Sequence, residues 1–231
     1  MPGRRVSPSH RRRAGNHVPR RRSPRHDRAT PEQDGRERIL SAAIRAFSEV
    51  GYAGTTTAGI ARAAGVTQPL VHHHFGSKDG LWRAAVDVVF SHIPRLPGTA
   101  ADGLGARETI MAVLERFVRF VAAHPEVTRI VAREGAEPSA RLDYLLKHYL
   151  HEPFREVVDL VRAAQSAGII TPDVRPELCL FLILGAGSHL FDVSALAQRS
   201  QGIDTSASWT REAFVVVMRT VLEQGLFRRE T

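Results

Sequence analysis

The chain has 231 residues, 43% of them hydrophobic, one cysteine and a formal net charge of +8. That length supports one or two domains with a sizeable core. A single thiol excludes an intrachain disulfide, and no uninterrupted apolar run reaches the ~18 residues of a membrane span.

The charge is uneven. Residues 1–33 hold ten Arg against Asp27 and Glu32, so the rest of the chain sums to zero and the basic character belongs to the N-terminal tail. Residues 1–29 are rich in Arg, Pro, Ser and His and nearly free of large apolar side chains. They cannot bury enough surface to offset ordering entropy and are expected to be disordered. Such a tail is either a DNA-contacting arm whose arginines release counterions from phosphates or a solvated extension. No apolar stretch follows its Arg pairs, so no secretion signal fits and the cytoplasm is the expected location.

Order is expected from Thr30. With Pro31 at the first helical position and Gln33 three residues after the cap, Thr30 opens a capping box. Ile39, Leu40, Ala43, Ile44 and Phe47 then recur at helical spacing, and Gly51 ends this first helix. A short second helix is predicted from about Thr57 to Ala64, with Thr55 and Thr56 at its start and Ile60, Ala61 and Ala64 inward. Gly65 permits a left-handed turn and Val66 plugs it. Thr67 caps a third helix, Gln68 to about Phe75, with Pro69 in its first turn. Ser77 caps a fourth, which carries Leu81, Trp82, Ala85, Val88 and Val89 toward the core.

Residues 94–105 are a Pro/Gly-rich break and the candidate hinge. Beyond it the chain reads as helix: about 106–123, 125–134, 139–167 with Pro153 as the candidate kink, 176–196 and 209–225. The expected fold is all-α, about nine helices. Residues 30–76 are expected to form a three-helix helix-turn-helix DNA-binding domain, and residues 77–231 a second, helical domain. Cys179 falls in an apolar helical run with no basic neighbour in sequence, which reads as a buried structural thiol, not a redox sensor.

Gly51-Tyr52, Thr55-Thr56, Ile60-Ala61, Ala64-Gly65-Val66-Thr67 and His74-Phe75-Gly76-Ser77-Lys78 fall in one order and spacing. Over about residues 34–82 this string resembles the TetR (tetracycline-repressor-like) family of bacterial regulators. The resemblance implies a homodimer with one DNA-binding head per subunit, a C-terminal effector pocket, and a dimer interface from the last two long helices, so that residues 77–231 are the effector-binding and dimerisation domain. A symmetric pair is also expected because one head reads too few base pairs for genomic specificity.

The candidate DNA contacts are Thr55, Thr56, Thr67, Gln68, Pro69, Leu70, His72, His73 and Lys78. Thr55 and Thr56 lie at a helix N-terminus whose free amides suit a phosphate. Gln68 can bond adenine bidentately, and Leu70 suits a thymine methyl or the interior, with Val71 favoured inward by helical phase. Lys78 reaches a phosphate as a mobile point charge. Two residues depart from the family pattern. His72 stands where a phosphate-contacting tyrosine is usual, which makes pH-sensitive binding an expectation. Pro69 replaces a common glycine and removes an amide. Consecutive helical residues diverge by about 100°, so His72-His73-His74 is not expected to hold a metal, and no cofactor is expected.

In the second half, His148, His151, Glu152 and Arg155 form one helical stripe, which is either polar lining of a pocket or a solvated, ion-paired face. The candidate effector residues are Phe117, Phe120, Arg133, Tyr144, His148, His151, Arg155 and His189. The candidate dimer residues are Phe181, Leu182, Gly185, Phe214, Val217, Met218 and Val221, with core packing as the alternative for half of them. No nucleophile–base constellation, phosphate loop or metal signature is present, so an enzyme is not expected. The expected function is a sequence-specific, ligand-responsive regulator on a palindromic double-stranded operator, a repressor released by an unknown small molecule. The alternatives are a sequence-tolerant architectural binder driven by the Arg tail, or an activator on the same fold. No membrane partner is expected.

Overall fold

The computed structural model of the chain describes Gly3, residues 31–94 and residues 105–227. The Arg-rich extension, the cap at Thr30 and most of the 94–105 join lie outside the described residues. Among the described residues eleven α-helices follow one another: α1 Pro31–Gly54, α2 Thr57–Ala64, α3 Gln68–Phe75, α4 Lys78–Phe90, α5 Ala106–Ala123, α6 Pro125–Glu134, α7 Ala140–Leu145, α8 His151–Ser166, α9 Pro176–Asp192, α10 Ser194–Gln201 and α11 Ser208–Gly225. The only β pairing among the described residues is one antiparallel bridge, Ile170 to Phe227.

Two of the eleven arise where the sequence reads one helix as continuous. Residues Leu146–Leu150 form a π-helical turn between α7 and α8, in which the His151 amide donates to the Leu146 carbonyl. Pro153 explains it. Proline has no amide to offer the Tyr149 carbonyl and its ring crowds that oxygen, so the helix widens one turn upstream. The second break is at Val193 (φ −105, ψ 34), where α9 and α10 meet at a bend of 64°. The carbonyl of Phe191 accepts instead from Arg129 Nη2 at 3.1 Å, so a donor far away in sequence satisfies the end of α9.

The helix ends in the first half follow local chemistry. Gly51 leaves helical geometry (φ 83) inside α1, where the first helix is expected to end. Thr56 Oγ1 accepts from the Gly59 amide at 3.0 Å and Ser77 Oγ from the Gly80 amide at 3.0 Å, each an N-cap. Gly65 sits at φ 64, ψ 37, a left-handed conformation that makes the tight turn between α2 and α3. Thr67 occupies the N-cap of α3, but its side chain makes no capping bond.

Two apolar cores result. The first joins α1–α4 to α6, α7 and the π turn: Ile39, Phe47, Ile60, Val71, Leu81 and Trp82 pack with Ile130, Leu145 and Leu150. The second lies between α5, α8, α9 and α11, around Leu114, Val118, Val161, Phe191 and Met218. Phe120 touches both. In the second core α5 and α9 approach closely at Gly187, where a β-carbon would lie 2.7 Å from the Phe117 ring. Outside it, Arg119 bridges Glu115 of its own helix and Glu212 of α11, a solvent-exposed tie of small worth.

Cys179 is 4% exposed, and burial pushes its thiol above the usual range. In the folded protein it should resist an aqueous disulfide reagent and react only as fast as the chain opens. Rapid stoichiometric labelling at neutral pH would place the thiol at the surface instead.

Candidate DNA-binding head and effector cavity

The α2–turn–α3 unit divides cleanly by burial. Ile60, Ala61, Ala64 and Val71 face the core. Thr56, Thr67, Gln68, Pro69, His72 and His73 are exposed on the outer side, and the structure brings them together on one surface. Gln68 Nε2 donates to Thr57 Oγ1 at 3.4 Å, so a residue outside the sequence-based set orients the Gln68 amide. His74 turns partly inward, its ring 6.0 Å from Phe75, while His72 and His73 stay outside.

Three of the expected contacts are placed differently. Thr55 is buried, and its hydroxyl lies 2.7 Å from the Gly51 carbonyl and 3.3 Å from that of Ala46. It satisfies the end of α1 and has no proton left for a phosphate. Leu70 is half-buried against the first core, 3.5 Å from where a β-carbon on Gly35 would be, so it leans on α1. Lys78 is half-buried with its ammonium 4.2 Å from the centre of the Tyr52 ring, and Arg141 of α7 lies 4.1 Å from the same ring. Burial, then the Arg141 guanidinium, hold the Lys78 ammonium below its usual pKa.

Arg141 also bonds Glu134 at 2.9 Å, a carboxylate only 7% exposed at the end of α6. Beside it, Arg133 donates to the carbonyls of Ser48 (3.1 Å) and Glu49 (2.5 Å) near the end of α1. The C-terminus of α6 therefore grips the head twice. No sequence signal marks these contacts, because the partners lie 85 and 84 residues apart.

A cavity of about 490 Å³ lies behind α6, walled by α5, α6, α8 and α9. Its lining is apolar, including Val113, Phe117, Phe120, Val157, Leu160 and Leu184, with Arg116, Thr128, Ser188 and Asp192 as the polar side chains. Of the eight expected effector residues only Phe117 and Phe120 reach it. Arg133 is committed to α1. Tyr144 donates to Asp87 of α4 at 2.8 Å, as does Tyr149 at 2.5 Å. Burial and the Asp87 carboxylate raise both phenols above their ordinary pKa. The His148 ring lies tilted against that of Tyr144, their centres 4.4 Å apart. His148, His151 and Arg155 are exposed, with Arg155 paired to Glu152 at 2.6 Å, so the polar stripe is a solvated face. His189 points to the outer side of α9, while Asp192, three residues on, faces the cavity.

The outer faces of α9 and α11 leave a broad apolar surface uncovered. Phe181, Leu182, Val217 and Val221 of the expected dimer set are exposed there, as are Leu178, Trp209 and Val216, which the sequence reading does not select. Gly185 is also on the open side, with nothing within 4 Å of an added β-carbon. Phe181 and Gly185 contribute to the cavity wall as well. Phe214 and Met218 correct the expectation: Met218 is buried in the second core, and Phe214 stands edge-on to Phe191 at 5.6 Å. The outer stripe on α11 is instead Val216 beside the expected Val217 and Val221.

Residues 39–85 match the family model for bacterial regulatory proteins of the tetR family. The chain is similar to the transcriptional repressor KstR2 of Rhodococcus jostii, at 29% identity over 196 residues, covering 83% of this chain and 87% of that protein. It is similar to the repressor NicS of Pseudomonas putida at 24% identity over 150 residues, 64% of this chain and 71% of that one. The solved structure of the ketosteroid transcriptional regulator KstR2 of Mycobacterium tuberculosis covers 84% of this chain and 95% of its own, with a TM-score of 0.60 at 20% identity. With the helix-turn-helix carried on α2 and α3, residues 39–85 are a DNA-binding domain of the tetR family of bacterial regulatory proteins, and the chain, with a helical body behind that domain, is a DNA-binding transcriptional regulator.

Proposed function

We propose that the protein is a homodimeric repressor that leaves a palindromic operator when a small molecule fills the cavity. The functional division runs between a head of residues 30–76 and a sensing body of residues 77–231. The observation that carries the DNA half is the exposed row of Thr56, Thr67, Gln68, His72 and His73 around the start of α3, with Val71 locking that helix to the core. This is the geometry of a recognition helix offering its N-terminal residues to base edges in a major groove. Beside the row, the half-buried Lys78 and Arg141 add positive charge around the Tyr52 ring.

The regulatory half rests on α6. Val131, Ala132, Gly135 and Ala136 line the cavity, and Arg133 and Glu134, between them, hold α1 and Arg141. A molecule that displaces this end of α6 must shift the grip on the head, and it shifts occupancy only if it prefers the displaced state. The open apolar faces of α9 and α11 support pairing with a second copy, which sets two heads in successive major grooves. The cytoplasm is the compartment that fits such a protein.

Gln68→Ala should weaken operator binding by roughly 1–3 kcal/mol, about fivefold to 150-fold, and relax the preference at one base pair. Thr56→Ala should lower affinity more evenly across sequences, since it removes a cap and a backbone contact. Gel-shift titration against operator and scrambled DNA, with helicity checked by circular dichroism, reads both. Tight specific binding by both folded variants would remove this surface from the interface. The tail-driven architectural reading makes the opposite forecast: deleting residues 1–29 would abolish binding, and scrambled DNA would compete as well as operator.

A further inference from the structure

We infer that the cavity takes an apolar molecule whose polar head is a hydrogen-bond donor, a hydroxyl or an ammonium and not a carboxylate, seated at the corner made by Thr128, Ser188 and Asp192. This deepens, and rests on, the reading of the cavity as an effector site.

The wall is apolar on every helix that forms it, so most of the ligand's surface must be apolar. The polar side chains are not scattered. Ser188 and Asp192 lie one turn apart on α9, and Thr128 of α6 is hydrogen-bonded to Asp192 at 2.6 Å. Satisfying these groups decides the head. Thr128 owns one hydroxyl proton, with the Asp192 carboxylate at 2.6 Å and the Pro125 carbonyl at 3.1 Å as its acceptors. Given to the carboxylate, that proton leaves Thr128 able only to accept. An ionised Asp192 is acceptor-only, with roughly four lone-pair sites, and Thr128 is its hydrogen-bond partner among the described residues.

Arg129 is nearby but outside the wall, its guanidinium donating to the Phe191 carbonyl. Ser188 brings one hydroxyl, which can accept as well as donate. The corner therefore holds more acceptors than donors and carries a negative charge beside apolar surface. A hydroxyl or ammonium head completes it, whereas a carboxylate head adds a second anion and leaves lone pairs facing lone pairs. The remaining polar residue, Arg116, is exposed at the rim of α5, where water screens its charge.

Isothermal titration of the full chain with decanol, decylammonium and decanoate, each below its aggregation limit, tests this. The alcohol and the ammonium should bind at least about tenfold more tightly than the carboxylate. Asp192→Asn, whose amide donates as well as accepts, should bring the three within about threefold of one another. If that variant lacks a cooperative melt, Thr128→Val serves: it strips Asp192 of its donor and should widen the preference for the ammonium. Val157→Trp, which fills the wall, should abolish binding of all three and so locate it.

Decanoate binding as tightly as decanol to the unaltered protein, an order that survives Asp192→Asn, or no binding by any of the three would overturn the inference. Adding the same ligands to the protein–operator complex separates it from the reading beneath it. Head preference without operator release supports the cavity chemistry and defeats the effector role. Operator release by decanoate as readily as by decanol supports the effector role and defeats the head assignment.

Discussion

Replacing Leu182 and Val217 together by aspartate should convert the protein to a monomer and reduce specific operator affinity by about a thousandfold or more. Both side chains are exposed, on α9 and α11 respectively, within the uncovered apolar surface. In a two-fold dimer the same patch serves both partners, so each substitution acts twice. Burying a Leu or Val side chain contributes about 1.5–3 kcal/mol, so four lost contacts remove roughly 6–12 kcal/mol of association free energy. The new carboxylates would also face one another across the seam. The monomer itself should fold, because neither residue belongs to the two cores. Its single head then binds at nonspecific strength. Sedimentation velocity at micromolar protein and gel shifts on operator and scrambled DNA read both consequences. A double variant that still sediments as a dimer would place the interface elsewhere.

Trp82→Ala should cost about 3–5 kcal/mol of stability, a large share of the roughly 5–15 kcal/mol that holds a typical protein folded. Trp82 is 1% exposed and stands edge-on to Tyr144 at 5.9 Å, joining α4 to α7 in the core shared with α1–α3 of the head. Its truncation opens a cavity where helices from both halves meet, so DNA binding and folding should fail together. Trp82→Phe provides the control. The indole Nε1 is buried without a hydrogen-bond partner among the described residues, so losing that N–H removes an uncompensated polar group and offsets part of the lost volume. The phenylalanine variant should therefore retain most of the stability. Urea unfolding at one fixed protomer concentration measures both, since a dimer's apparent stability depends on concentration. Near-equal losses for the two variants would show that the indole's unpartnered N–H carries no penalty.

What the sequence determined by itself was everything governed by neighbours within a few residues. Gly51 and Gly65 mark backbone that leaves the right-handed helix, Thr56 and Ser77 cap because their hydroxyls reach amides three residues on, and Val71 turns inward by helical phase. The exposed positions of Gln68, His72 and His73 follow from the same phase, which is why the outer surface of the head could be drawn from the string of residues alone. Tertiary structure decided what depends on distant partners. Thr55 went inward because the end of α1 offered two carbonyls. Arg133 and Glu134 were drawn to α1 and Arg141 and not to the cavity. The π turn answered Pro153 only one turn before it. On α9 and α11 both outer and inner faces are apolar, so composition could not tell Met218 and Phe214, which entered the core, from Val216 and Val217, which did not. That choice was made by the phase in which each helix met α5, with Gly187 admitting the Phe117 ring at close range, and no periodicity within one helix records how its neighbour approaches.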